Sequence, residues 1–315
     1  MTLLQMLGGL AILVVGAEIL VRGSIGTALR FGLTPLLIGL TIVAFGTSAP
    51  ELVVSIQAAY NGSDDIALGN IIGSNISNIA LILGIAALIQ PLKVQTSIIR
   101  KDVPILMGVS MLMALFLLDG VISQLEGFFF FAGVIVFTVA SIRMAKMETA
   151  AEVNTEYEDV VPKKKYPLWL NVVMIVAGLG FLILGANWLV DGAIQIAISI
   201  GMSQAVVGLT IVAVGTSLPE LATSVMAAFK KEGDIAIGNV VGSNIFNILC
   251  ILGITAMILP VSQGGITTVD ILLMLGLTLF LLPVLRSGYI VSRAEGAVLL
   301  TIYVAYTSYL VLITS

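Results

Sequence analysis

Long apolar runs separated by short polar connections recur along all 315 residues. Ten can be marked, near 2–21, 33–59, 66–91, 99–118, 123–143, 168–189, 203–229, 234–259, 267–285 and 295–313. A bilayer core of roughly 30 Å takes about 20 apolar residues of helix, so each run predicts one membrane-spanning helix. The runs are continuous and lack the period-two alternation of a strand barrel. The first has no basic residues ahead of it and contains Glu18, so it reads as a retained span and not as a signal peptide.

The pattern also repeats in detail. GLTIVAFGTSAPELVVS at 39–55 and GLTIVAVGTSLPELATS at 208–224 agree at thirteen of seventeen positions. An offset of 169 aligns them without a gap, and it also places GNIIGSNISNIALILG at 69–84 on GNVVGSNIFNILCILG at 238–253. Each half holds five runs, an odd number, so the halves enter the membrane from opposite sides. The predicted fold is therefore an all-α membrane protein of ten helices in two inverted five-helix repeats. The repeats are 1–143 and 167–315, joined by a polar tether at 144–166. Such construction is characteristic of secondary transporters, whose sites lie near the midplane on interrupted helices.

Composition supports the setting: 59% of residues are hydrophobic, 10% are charged, and the mean hydropathy is +1.14. All fourteen Lys and Arg fall at alternate connections, at 22 and 30, 93 to 101, 143 to 165, 230 and 231, and 286 and 293. By the positive-inside rule that side is cytoplasmic. Both termini are then expected outside a cell membrane.

Within this apolar chain Glu51 and Glu220 stand out. An ionisable group at a helix centre costs about 2.5–3.5 kcal/mol on insertion scales, and no Lys or Arg lies in a predicted span away from its ends to pair with either. Thr47 and Glu51, like Thr216 and Glu220, are four residues apart and would share a helical face. Pro50 and Pro219 lack an N–H and would free the carbonyls of Gly46 and Gly215. In the second motif Asn70, Ser74 and Asn78 step by four, as do Asn239, Ser243 and Asn247. The donor set is all oxygen, which suits hard cations such as calcium. With no His and a single Cys, Cys250, the chain is a poor candidate for transition metals.

Other motif positions have structural readings. Gly39, Gly69, Gly73, Gly84, Gly208, Gly238, Gly242 and Gly253 are expected to serve close helix packing. Asn75 and Asn244 read as helix-to-helix hydrogen bonders, while Ser55 and Ser224 either bond back to the preceding turn or join the site. Glu18 and Arg22 lack symmetric partners and are expected in interfacial contacts.

At GTSAPE with GSNISN, and GTSLPE with GSNIFN, the chain resembles the calcium/cation antiporter superfamily and, within it, prokaryotic sodium/calcium exchangers. The resemblance covers essentially the whole chain. It implies exchange of calcium for sodium, about three sodium ions per calcium, with Glu51 and Glu220 as central ligands. Thr47, Ser48, Thr216, Ser217, Ser74, Ser243, Asn78 and Asn247 would add side-chain oxygens, and Ala44 and Ala213 main-chain carbonyls. Some relatives carry Asp at the position of Asn247, and Asn there weighs against potassium coupling. The first and sixth spans would be the moving elements.

Proton/calcium exchange is the nearest alternative, followed by a passive cation channel. The Pro-Glu that follows GTS-x differs from the pattern of the proton-coupled branch, and an inverted repeat suits alternating access better than a channel. An enzyme is not expected, because Ser48 and Ser217 have neither a His nor a buried Lys to activate them. The partners are thus Ca2+, Na+ and the lipid bilayer, with no nucleic acid and no cofactor. The oligomeric state stays open, a monomer being compatible.

Overall fold

A computed structural model describes residues 2–31, 33–147, 166–199 and 213–314. It is mostly helical. The helices are α1 (Thr2–Phe31), α2 (Pro35–Thr47), α3 (Ala49–Tyr60) and α4, which runs through Asp64–Ile76, Ser77–Ile82 and Leu83–Ile89. They continue with α5 (Ile98–Asp119), α6 (Gln124–Met147), α7 (Leu168–Ser199), α8 (Ala213–Thr216), α9 (Leu218–Phe229), α10 (Gly233–Ile258), α11 (Thr268–Arg286) and α12 (Arg293–Thr314). Among the described residues seven helices are long and apolar enough to cross a membrane, or eight if α2 and α3, bent by 42° at Ser48, form one span. The tenth predicted run is α12, 22 residues long but not among those seven. Residues 203–212 of the seventh run, and most of the tether at 144–166, lie outside the described residues.

Two boundaries differ from expectation. The first span was expected to stop at 21, but α1 continues to Phe31, so Arg22 and Arg30 extend a helix and do not occupy a loop. The next helix starts at Thr34-Pro35, where Thr34 Oγ1 accepts the Leu37 N–H at 3.2 Å and Pro35 opens α2. Within α1, Arg22 pairs with Glu18, and Lys230 Nζ reaches the same carboxylate at 2.8 Å. These are the interfacial contacts expected of Glu18 and Arg22. The sixth run likewise extends from an expected 189 to Ser199.

Local structures recur 169 residues apart. S-x-x-E capping boxes open α6 and α12: the N–H groups of Ser123 and Ser292 bond Glu126 and Glu295, each at 2.7 Å. Left-handed backbone occurs at Gly62 and Lys231 (φ 68° and 62°), and again at Gly120 and Tyr289 (86° and 56°). A side chain there costs about 1–2 kcal/mol, so the second half pays where the first uses glycine. Two short ladders are related in the same way. The strand β1 (Leu92–Lys93) pairs antiparallel with β4 (Ile290–Val291), and β2 (Val121–Ile122) with β3 (Val261–Ser262).

These ladders bear on sidedness. β1 and β4 both lie in connections carrying Lys or Arg, as does Gln95, which bonds Asp234 in the first turn of α10, just past Lys230 and Lys231, at 2.6 Å. By contrast, β2, β3 and the Asp64–Ser262 pair lie in connections carrying none. Loops assigned to one face by charge thus meet loops of that same face.

The helices carrying the second motif are the most enclosed. In α4 and α10, 78% and 83% of the best apolar window is buried, against 28–39% in the other five spans. Polar side chains on a central helix avoid lipid, where each would lack a partner. Around them Ile72, Ile79, Leu106, Phe130, Val241 and Leu281 form part of the main core. A smaller cluster, including Leu13, Leu20, Ile175 and Leu182, joins α1 to α7. There backbone meets backbone: a Cβ on Gly185 would lie 2.7 Å from Gly9 O and from Leu13 N.

One buried acid lies outside the spans, between α9 and α10. Glu232 is 5% exposed, and burial, then the nearby Asp234, pushes its carboxyl up to about 7 against the opposing pull of Lys230. The unfolded carboxyl titrates near 4.5, so the folded state holds more protons between these values and stability falls as pH rises through that window. Glu232→Gln removes the penalty. Its melting temperature should exceed that of the parent at pH 8, with the gain shrinking toward pH 4.5; an equal gain at both pH values would rule out this cause.

Candidate cation site

The break between α2 and α3 begins with proline. Pro50 and Pro219 sit in the first turns of α3 and α9, with Ser48 and Ser217 at the N-cap positions. Because Pro50 has no N–H, Gly46 O loses its helical donor, but the chain responds by ending one helix and starting another. The shared-face argument for Thr47 and Glu51 is thereby corrected: a bend at Ser48 separates them.

What brings the motifs together is contact between the halves. Ser48 Oγ donates to Glu220 Oε1 at 2.8 Å, and Ser217 Oγ donates to Glu51 Oε1 at 3.3 Å. Ser217 Oγ also lies 3.4 Å from Ser74 Oγ. Thr47 Oγ1 bonds Asn239 Oδ1 at 3.2 Å, and Thr216 Oγ1 bonds Asn70 Oδ1 at 3.4 Å. The amides cross as well: Asn78 Nδ2 donates to Asn244 Oδ1 at 3.1 Å, and Asn247 Nδ2 to Asn75 Oδ1 at 3.0 Å. Apart from the Ser217–Ser74 contact, each has its counterpart at the offset of the repeat. Asn75 and Asn244 therefore do bond between helices, as expected.

Asn70 and Asn239 have a larger part than their four-residue spacing suggested. Asn70 Nδ2 donates to Glu51 O (3.1 Å) and Ser55 Oγ (3.0 Å); Asn239 Nδ2 donates to Glu220 O (3.2 Å) and Ser224 Oγ (2.9 Å). Each clamps the main chain of one Glu. This also ties Ser55 and Ser224 to a neighbouring helix. The only sequence signal was the recurrence of Asn at 70 and 239.

Asn78 and Asn247 sit in π-helical turns, Ser77–Ile82 and Asn247–Leu252, where the four-residue stepping ends. Such insertions rotate the helix locally and concentrate at functional sites. Two further π segments span Gly39–Val43 and Ile98–Asp102. No local propensity signals them.

Among the described residues neither Glu51 nor Glu220, each 1% exposed, is paired with Lys or Arg. Glu51 Oε2, Glu220 Oε2, Asn78 Oδ1, Asn247 Oδ1 and Ser243 Oγ are buried without a hydrogen-bond partner. Leaving so many acceptors bare is costly, and buried carboxylates more so. A hard cation would satisfy them, since carboxylate and amide oxygens are its usual ligands.

The carbonyl positions fit less simply. Ala44 O accepts the Ser48 N–H at 3.0 Å and lies 3.3 Å from Thr47 Oγ1, so it is not a freed carbonyl. Ala213 opens α8. Of the packing glycines, a Cβ on Gly242 would lie 2.6 Å from Leu40 O, and Gly39, Gly84, Gly238 and Gly253 abut backbone at 2.8–3.1 Å. Gly69 meets only a side chain at 3.3 Å and Gly73 has nothing within 4 Å, so neither shows the expected close packing; Gly208 lies outside the described residues.

Comparison with known proteins is consistent with this geometry. A family model described as sodium/calcium exchanger protein matches residues 1–143 and 170–312. CaxA of Alkalimonas amylolytica is 41% identical over 95% of either chain. The sodium/calcium exchanger MaX1 of Methanosarcina acetivorans is 32% identical over 96% of either chain. The solved structure of the sodium-calcium exchanger NCX_Mj, soaked with Na+ and Ca2+, matches with a TM-score of 0.84 at 29% identity, covering 98% of this chain and 97% of that one.

Proposed function

Because the chain belongs to the sodium/calcium exchanger family, we propose that it exchanges Ca2+ for Na+ across a cell membrane by alternating access at one shared site. The observation that carries this reading is the set of buried, unpartnered oxygens on Glu51, Glu220, Asn78 and Asn247, related in pairs by the repeat. Thr47, Ser48, Ser74, Thr216, Ser217 and Ser243 complete the proposed ligand shell, with the carbonyls of Ala44 and Ala213 at its edges. Two carboxylates balance one Ca2+, or three Na+ with about one positive charge left over. Exchange at three to one moves one net charge, so 100 mV would contribute about 2.3 kcal/mol per cycle.

In this reading the ten helices form two inverted repeats, 1–143 and 167–315, with both termini outside and the tether at 144–166 in the cytoplasm. The match of basic with basic and non-basic with non-basic loops supports that sidedness. Helices α1 and α7 slide as a pair past the remaining core. Their glycine-lined contact and their own apolar cluster suit movement as a unit.

Reconstitution tests the reading directly. Liposomes loaded with Na+ and diluted into Na+-free medium should take up Ca2+, a protonophore should not abolish the uptake, and a Na+ ionophore should stop it. Uptake that follows a proton gradient and ignores Na+ would instead indicate proton/calcium exchange. Uptake without any counter-ion would indicate a channel.

A further inference from the structure

We infer that Asn75 and Asn244 are positioning residues that decide which end of the Asn247 and Asn78 side-chain amides faces the transported ion. The inference rests on the shared-site reading above. A side-chain amide has an oxygen at one end and two N–H donors at the other, of nearly equal size. Only the oxygen end can coordinate a cation.

Packing alone does not choose between the ends, but the cross-repeat bonds do. Asn247 gives its Nδ2 to Asn75 Oδ1 at 3.0 Å, and its Oδ1 is buried with no partner. Asn78 gives its Nδ2 to Asn244 Oδ1 at 3.1 Å, and its Oδ1 is likewise bare. All four residues are at most 2% exposed, so bulk water does not compete. Turning Asn247 over would set Oδ1 against Oδ1 and aim N–H groups at the ion.

The first lock has a further anchor. Asn75 Nδ2 points to Met274 Sδ at 3.8 Å, on α11, so a turned Asn75 would oppose its oxygen to a weak acceptor. Position 105, the repeat counterpart of Met274, is Ile, which offers no acceptor, and Asn244 Nδ2 is unpartnered. Asn244 and Asn78 can therefore turn together and still keep one bond between them. The Asn75–Asn247 lock is therefore the firmer of the two.

A carboxylate at position 247 would need no such lock, because both of its ends are oxygen. This separates orientation from simple helix bonding. The measurement is the Ca2+ KM of sodium-driven uptake in four proteins: parent, Asn75→Ala, Asn247→Asp and the double variant. Asn75→Ala alone should raise KM roughly tenfold or more, the usual scale for removing a residue that orients a metal ligand. In the Asn247→Asp background the same substitution should raise it less than about twofold, by the same orienting argument. Equal increases in both backgrounds would overturn the inference and leave Asn75 a purely structural bond. Asn75→Leu, close in volume, replaces Asn75→Ala if the latter is not recovered folded. Should the parent show no sodium-driven uptake, the exchange reading fails separately; the lock is then read in detergent from the Ca2+-induced rise in melting temperature of the same four proteins, with the same two outcomes.

Discussion

Glu51→Gln and Glu220→Gln are each expected to abolish sodium-driven calcium uptake while leaving the protein folded. Gln keeps the shape and keeps an oxygen for the hydroxyl of Ser217 or Ser48, the present partners of the two carboxylates. What it removes is one of two negative charges in a buried site. Removing one partner of a buried charge pair costs about 3–5 kcal/mol, which is a loss of affinity on the order of 100- to 1,000-fold or more. Without a cation the same change relieves a buried, unpaired charge. The melting temperature in calcium-free detergent should therefore hold or rise, whereas the stabilisation conferred by Ca2+ should vanish. Normal calcium uptake by both variants would remove these residues from the site.

The second large effect concerns the pair α1 and α7. A Cβ on Gly178 would come within 2.7 Å of Leu20 N and 2.9 Å of Gly16 O, and backbone cannot turn aside as a side chain can. Gly178→Leu should separate the helices at a cost of about 1–3 kcal/mol or more, and uptake should fall steeply with it. Gly180, two residues along the same helix, is the control, because nothing lies within 4 Å of a Cβ there. Gly180→Ala should leave uptake unchanged and stabilise the helix by at most about 1 kcal/mol. The two are compared by calcium uptake and by thermal unfolding in detergent. Equal tolerance at both positions would show that the glycine contact is not required.

Much of the fold was legible because membrane insertion is governed by local composition. Apolar runs long enough to span become helices whatever surrounds them, and seven such helices stand where the runs predicted. Helix ends were read less well. A charged residue suggests the end of a span, but Arg22 continues α1 because its side chain pairs with Glu18 one turn back. Nor does the sequence show that Pro50, which would free the Gly46 carbonyl, stands outside a helix interior. It stands in the first turn of α3, where proline is well accommodated.

Residue type and repetition alone mark out the candidates for a site: two Glu, two Asn and a set of hydroxyls, paired by the offset of 169, in a chain without His. No tertiary contact changes them. Which of them meet depends on how the helices dock. Ser48 bonds Glu220 across 172 residues and Ser217 bonds Glu51 across 166, so each Glu is held by a hydroxyl of the other half. The π turns at Asn78 and Asn247, and the amide locks beyond them, belong to the same class. The physical reason is that a four-residue step describes one helix, whereas the facing partner of a side chain is set by which helix docks opposite and in what register.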